Sequence, residues 1–156
     1  MEYGAQPLRR KSLRAGPLFR ALVAQFCENA QEKKCEIALE QSEQSEQAML
    51  CADRALLERL LENLLNNSIR HNPGPVSITV RTEAAGGCFC LTVADDGCGY
   101  PPAVLAAMNA PEPCENAPHI LGLHVVEQIA IAHGGKAEFA NNIPQGAKAV
   151  ISLPME

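Results

Sequence analysis

The stretch Leu60-Leu61-Glu62-Asn63-Leu64-Leu65-Asn66-Asn67-Ser68-Ile69-Arg70-His71-Asn72 carries two patterns at once. With Leu56 and Leu57 upstream, its leucines recur at three- and four-residue spacings, which marks an amphipathic helix with one broad apolar face. At about 3.6 residues per turn, Asn63, Asn67, Arg70 and His71 line one edge of that face. A half-buried amide costs free energy unless something hydrogen-bonds it. The row is either a solvated helix edge or the rim of a ligand site, and the helix alone does not choose.

Both ends of this helix are marked. Asp53 suits its N-cap, and Asn72-Pro73-Gly74-Pro75 stops it just after His71. Beyond the stop, residues 76–82 alternate as a strand, Ala85-Gly86-Gly87 makes a hairpin turn, and residues 88–94 return as its partner. That partner runs into Asp95-Asp96-Gly97-Cys98-Gly99-Tyr100. Pro101 and Pro102 open a short helix through Met108, and residues 109–118 read as a Pro-rich loop. A second long helix over 120–132 ends at His133-Gly134-Gly135, and strands over 136–140 and 147–153 flank a turn.

Upstream, residues 12–15 read as a short edge strand and Pro17 as the first turn of a helix reaching about Gln31, closed by Lys33-Lys34. Residues 35–40 alternate as a half-buried strand, and residues 48–52 form another. The Glu/Gln/Ser run 41–47 reads as a solvated turn without function. Residues 1–11 read as a linker remnant from an upstream helical domain, with a single domain over 12–156. Tightly joined strands and helices of similar period predict an α+β fold, a two-layer sandwich. Its mixed, mostly antiparallel sheet carries helices on one face and is more polar on the other.

A chain of 156 residues with 47% apolar content supports one ordinary core. Its net charge of −5 argues against a general nucleic-acid binder, so any anionic ligand must be held by local donors. No apolar run is long enough to span a membrane, and the start lacks signal-peptide regions, so direct membrane contact is not expected. The seven cysteines include no CxxC pair, and most sit inside periodic apolar segments as small buried hydrophobes do. A zinc site or disulfide framework is not expected, and a reducing, cytoplasmic setting fits best.

Three polar constellations fall at element ends. Asn67 can offer an amide oxygen to a hard cation such as Mg2+, Arg70 can contact phosphate, and His71 can stack on a ring or bond to a ribose. Asp95-x-Gly97-x-Gly99 places a carboxylate where it can accept from an exocyclic amine, with glycines that admit a flat ligand, although such turns after strands are common. Leu121-Gly122-Leu123 at a helix start leaves N–H groups for an anion, or is a simple helix terminus.

In this order the three resemble the ATP-binding catalytic domain of sensor histidine kinases, within the gyrase, Hsp90, histidine kinase and MutL superfamily. The resemblance covers roughly residues 12–154. Residues 63–71 resemble the family's N box, 93–100 its G1 box, and Leu121-Gly122-Leu123 through His133-Gly134-Gly135 its G2 box and helix. Gln145-Gly146-Ala147 is similar to the glycine turn before its last strand. The resemblance implies a Bergerat-type ATP-binding fold and the cofactors ATP and Mg2+. It implies that Asn67 binds Mg2+ with help from Asn63, and that Asp95 receives the adenine amino group. It places Arg70 near phosphate and His71 near ribose or base. It further implies that Gly97 and Gly99 shape the adenine pocket, that Leu121, Gly122 and Leu123 meet the phosphates, and that residues 109–119 form the lid.

ATP-hydrolysing members of the superfamily place a Glu four residues before the metal-binding Asn, where this chain has Asn63. An amide cannot act as a general base, so transfer to a presented side chain is favoured over hydrolysis. Glu62 is rotated about 100° away around the helix and is the best hydrolase candidate. The lid is short and lacks the Phe-rich box, Ile120 stands where a Gly is usual, and Ala147 replaces a Thr. These departures predict weaker nucleotide affinity, or a lid that a partner domain orders.

The four histidines, His71, His119, His124 and His133, all lie in the nucleotide-binding half, and none opens a phosphoacceptor helix. The expectation is an excised catalytic domain that donates the γ-phosphoryl group to a histidine on the dimerisation and phosphoacceptor domain of its parent. The downstream response regulator would be reached through that domain, whether or not the parent is membrane-anchored. The alternative is a non-catalytic or regulatory ATP-binding module, an anti-sigma-factor-like serine kinase or a pseudokinase.

Overall fold

The computed structural model describes residues 8–29, 35–70, 72, 74–108 and 118–156; the side chains of residues 29 and 118–121 lie outside that description. His71, the Lys33-Lys34 helix ending and the 109–117 part of the expected lid also fall outside it. The chain runs β1 (Lys11–Arg14), α1 (Ala15–Asn29), β2 (Cys35–Gln41), α2 (Glu43–Gln47), β3 (Met49–Ala52) and α3 (Arg54–Arg70). It continues through β4 (Val76–Ala85), β5 (Cys88–Asp95), α4 (Pro102–Met108), α5 (Pro118–Ala132), β6 (Lys136–Asn141) and β7 (Ala147–Pro154).

Five strands form one sheet in the order β2-β4-β5-β7-β6. Only β2 and β4 run parallel, because α2, β3 and α3 intervene and carry the chain back before β4 begins. The remaining pairs are antiparallel, and β1 and β3 form a separate two-stranded ribbon. The β4–β5 hairpin turns at Gly86 and Gly87, both with positive φ (59° and 77°), which suits a primed turn between right-twisted strands.

The leucine stripe does what its spacing predicts: Leu57, Leu60, Leu61, Leu64 and Leu65 are each at most 3% exposed. Burying such a side chain contributes about 1.5–3 kcal/mol. They meet the inward face of the sheet, including Val80, Leu91, Val93 and Ile151, and Phe19 of α1 stacks on Phe89 at 5.5 Å. The opposite sheet face carries Glu36, Glu40, Arg81, Glu83 and Glu138 in solvent, with Arg81 and Glu40 paired at 2.9 Å. The mixed two-layer architecture read from the sequence is the one observed.

Two expectations change. The 41–47 run is no solvated turn: it contains α2, capped by Ser42, whose Oγ accepts from the Ser45 N–H. Ser45 is fully buried, with its hydroxyl 2.7 Å from Thr82 Oγ1 and 3.0 Å from Thr82 O, so two serines pin the helix onto β4. The cysteines are not buried hydrophobes either. Cys27, Cys51, Cys88 and Cys98 are exposed, and Cys35 and Cys90 are half-buried. Strand parity explains much of this: Cys51 alternates with buried Leu50 and Ala52, and Cys88 and Cys90 with buried Phe89 and Leu91. Cys114 lies outside the described residues.

The two longest helices are fixed at the end of the domain away from the asparagine row. Asp53 caps α3 as expected, its Oδ1 accepting from the Leu56 N–H at 3.3 Å and its Oδ2 from the Arg9 N–H at 3.1 Å. Its own N–H donates to Nε2 of His133, just past α5, at 3.0 Å. Nε2 must therefore accept, which puts the imidazole proton on Nδ1, 2.8 Å from the Ile129 carbonyl. Arg10 donates from Nη2 to the Ala132 carbonyl at 2.7 Å, so Arg9 and Arg10, read as linker, are bonded to both helices.

Candidate functional site

Asp95 is the last residue of β5, on the inward parity, and is only 3% exposed. A carboxylate there needs donors. Oδ1 accepts from the Gly97 N–H at 2.9 Å and from the Ala147 N–H, at the start of β7, at 3.1 Å. Among the described residues Oδ2 accepts no hydrogen bond, so it is the atom left to meet an external donor.

The turn before β7 is moulded around Asp95. Gly146 has φ +106°, and a Cβ there would overlap the Asp95 carbonyl oxygen. Asn142 Nδ2 donates to that same carbonyl at 3.3 Å, and Gln145 Nε2 donates to the Asp96 carbonyl at 2.6 Å. Asp96 faces away: its Oδ1 accepts from the Ser77 N–H at 2.9 Å and so anchors the turn to β4. Of the two adjacent aspartates, only Asp95 is turned into the site.

Gly97 and Gly99 are required by their surroundings. A Cβ at Gly97 would overlap the Asn72 carboxamide, and Gly99 has φ +81° with Asn141 Oδ1 where a Cβ would lie. Asn141 Oδ1 accepts from the Tyr100 N–H at 2.8 Å. The Tyr100 ring meets Phe139 edge-on at 6.2 Å. Burial, and then the charge of Asp95, raise the Tyr100 phenol far above its ordinary range, so it stays neutral.

On α3, Asn63 and Asn67 are half-buried, and neither amide makes a hydrogen bond among the described residues. Asn66 between them is half-buried and has a partner. Arg70, one turn on, is exposed. The row therefore keeps two amides in reserve beside the leucine core.

The third constellation differs from its reading. The helix opens at Pro118, so Gly122 stands inside it, where the backbone N–H groups are spent on the helix's own ladder. Among the described residues a Cβ at Gly122 would meet nothing within 4 Å, and Leu123 is 1% exposed and belongs to the core. The Leu121 side chain lies outside the described residues. The structure thus brings Asp95, Gly97, Gly99 and the last turn of α3 together, but Gly122 and Leu123 present no open helix terminus. Nearby, His124 Nδ1 lies 3.6 Å from Glu127, while its buried Nε2 has no hydrogen-bond partner among the described residues.

Sequence reasoning missed Asn72, Asn141, Asn142 and Gln145, whose amides hold the 95–100 segment. Their signal was a density of Asn and Gln around glycine turns, which turn propensity alone also explains.

Comparison with known proteins converges on one family. The model of the family described as "Histidine kinase-, DNA gyrase B-, and HSP90-like ATPase" matches residues 52–156. The histidine protein kinase DivJ of Caulobacter vibrioides is 29% identical over 110 residues, covering 67% of this chain and 18% of that protein. The sensor protein SphS of Synechococcus elongatus is 30% identical over 129 residues, covering 71% and 30% respectively. The chain thus spans less than a third of the length of these relatives. Among solved structures, the nucleotide-free catalytic domain of histidine kinase ThkA superposes with a TM-score of 0.78 at 21% identity, covering 94% of this chain and 96% of that one. Full-length ShkA in complex with AMPPNP superposes with a TM-score of 0.74 at 24% identity, covering 97% and 32%.

Proposed function

This chain belongs to the family of histidine kinase-, DNA gyrase B- and HSP90-like ATPases, and from that premise we propose that it binds Mg-ATP and donates the γ-phosphoryl group to a histidine on another domain of a longer two-component sensor kinase. The observation that carries this reading is the seat of Asp95. A carboxylate only 3% exposed, with Oδ1 satisfied by two backbone donors and Oδ2 left unpartnered among the described residues, suits an exocyclic amine such as that of adenine.

The other end of the nucleotide falls to α3. Asn67 offers an amide oxygen with no hydrogen-bond partner among the described residues, Asn63 lies one turn before it, and Arg70 is exposed for a phosphate contact. No cluster of three or more His, Cys, Asp or Glu among the described residues could cage a metal. One amide oxygen fits Mg2+, which keeps several waters and takes phosphate oxygens as its further ligands. When bound, the ion neutralises charge on the phosphates. His71 is assigned to the ribose or base, and Gly122 to the phosphates once the start of α5 adjusts to the ligand.

Transfer forms a bond between a histidine nitrogen and the γ-phosphorus and breaks the bond to the β-phosphate oxygen, releasing ADP. In such chemistry the protein mainly positions reactants and stabilises charge. The acceptor histidine is assigned to another domain; of the histidines whose side chains are described, His133 has both ring nitrogens engaged and the His124 side chain is 18% exposed beside Glu127. Asn63 cannot activate water, which disfavours hydrolysis. The partners are ATP, the dimerisation and phosphoacceptor domain of the parent and, through it, a response regulator. No helix among the described residues is long and apolar enough to cross a membrane.

One observation favours a second reading. The buried Leu123 and the internal position of Gly122 leave the phosphate end less prepared than the adenine end. That suits a regulatory nucleotide-binding module, a serine kinase for a partner or a pseudokinase. Incubating the longer parent protein with labelled ATP separates the cases. Acid-labile, base-stable label supports the phosphohistidine reading; acid-stable label, or none, supports the second.

A further inference from the structure

We propose that Asn72 is a positioning residue of the nucleotide site. Its carboxamide ties the end of α3, which carries Asn67, to the turn after Asp95, and so sets the spacing between the metal end and the adenine end of the ligand. The inference rests on the nucleotide-binding reading and adds a residue that the sequence marked only as a helix stop.

The bridge is made from both halves of one amide. Asn72 Nδ2 donates to the Ser68 carbonyl at 2.6 Å, and Oδ1 accepts from the Cys98 N–H at 2.9 Å. Ser68 is the residue after Asn67, and its carbonyl is among those that a helix end leaves without an intrahelical partner. Cys98 is three residues beyond Asp95, in a turn fixed on its other side by Asp96 and Ser77. The turn makes room for the bridge at Gly97, where any Cβ would overlap the Asn72 carboxamide. The fit is two-sided: an amide of that length at 72 and no side chain at 97.

Asp95 does not depend on this bridge. Its Oδ1 is held by the Gly97 and Ala147 N–H groups, and its carbonyl by Asn142. Removing the carboxamide therefore leaves the carboxylate seated and frees its distance from Asn67. A ligand that touches only the adenine end does not sense that distance. A ligand that spans both ends does.

The test uses the full chain and calorimetric titration with two ligands, adenosine and Mg-ATP, on wild type and Asn72→Ala. Asn72→Ala is expected to weaken Mg-ATP about tenfold, the scale of the one hydrogen bond, from the Cys98 N–H, that crosses from the end of α3 to the turn. Adenosine is expected to stay within about twofold. Gly97→Ala alone should weaken Mg-ATP, and should add little in the Asn72→Ala background, where its Cβ no longer meets the carboxamide. Should Asn72→Ala fold poorly, Asn72→Asp keeps the acceptor for Cys98 and loses the donor to Ser68, and the same split between ligands is expected. Equal affinities for wild type and variant overturn the inference while leaving the nucleotide site standing. Equal loss for both ligands also overturns it, since that is the signature of general loosening. A wild-type domain that binds neither ligand overturns the proposed function, and this inference with it.

Discussion

Replacing Gly146 by alanine should unseat Asp95 from behind. Gly146 sits at φ +106°, where an L-residue is strained by about 1–3 kcal/mol. Its new Cβ would also overlap the Asp95 carbonyl oxygen and come within 3.1 Å of Oδ1, forcing β5 and the 142–146 turn apart. Overpacking of that kind costs about 1–3 kcal/mol, which gives a total of about 2–6 kcal/mol. At a urea slope of about 2 kcal/mol/M, the unfolding midpoint should fall by about 1–3 M. Because the neighbouring Ala147 N–H is one of two donors to Oδ1, nucleotide affinity should fall as well. Gly122→Ala is the paired control. Among the described residues its Cβ meets nothing within 4 Å, and it lies inside α5, so the same denaturation should show about 0.5–1 kcal/mol of added stability. A Gly146→Ala midpoint equal to wild type, or a Gly122→Ala loss as large as that expected for Gly146→Ala, would refute the packing described around Asp95.

Two further outcomes follow from buried groups. His133→Ala removes an acceptor for the Asp53 N–H and a donor to the Ile129 carbonyl, and opens a cavity between α3 and α5; stability should fall by about 2–4 kcal/mol in chemical denaturation. Tyr100 binds its proton more tightly folded than unfolded, so its contribution is complete below the unfolded phenol pKa of about 10 and is lost as pH rises above it. Thermal unfolding across alkaline pH should show wild type losing stability faster than Tyr100→Phe, and parallel curves would contradict the burial of that hydroxyl.

Much of this architecture was legible because it is periodic. The leucines of α3 and the alternation of β4 and β5 declare one buried face each, and the Gly86-Gly87 pair requires a turn at which both residues take positive φ. The place of Asp95 at the end of β5 was legible from the alternation before it and the glycines after it. What escaped depends on contacts between distant residues. Ser45 is buried only because Thr82 of β4 faces inward opposite it, and no local pattern in a Glu/Gln/Ser run reveals that. The cysteines were misread because apolar surroundings along the chain do not fix parity across the sheet. Gly122 was placed at a helix start from its motif, whereas the helix begins at Pro118. Asn72 looked like punctuation because both of its partners, Ser68 and Cys98, are backbone groups that carry no signal in side-chain type.

We propose that Asp95 Oδ2 receives the amino group of adenine. Asp95→Asn can keep an oxygen toward the Gly97 and Ala147 N–H groups while turning an NH2 toward the ligand, so the fold should survive and the contact should not. A hydrogen bond to a charged group contributes about 1.5–3 kcal/mol, which corresponds to about 10- to 100-fold in Kd. Calorimetric titration of Mg-ATP into wild type and Asp95→Asn should show that loss with the unfolding temperature little changed. Equal affinity in the two proteins would contradict the account at its root.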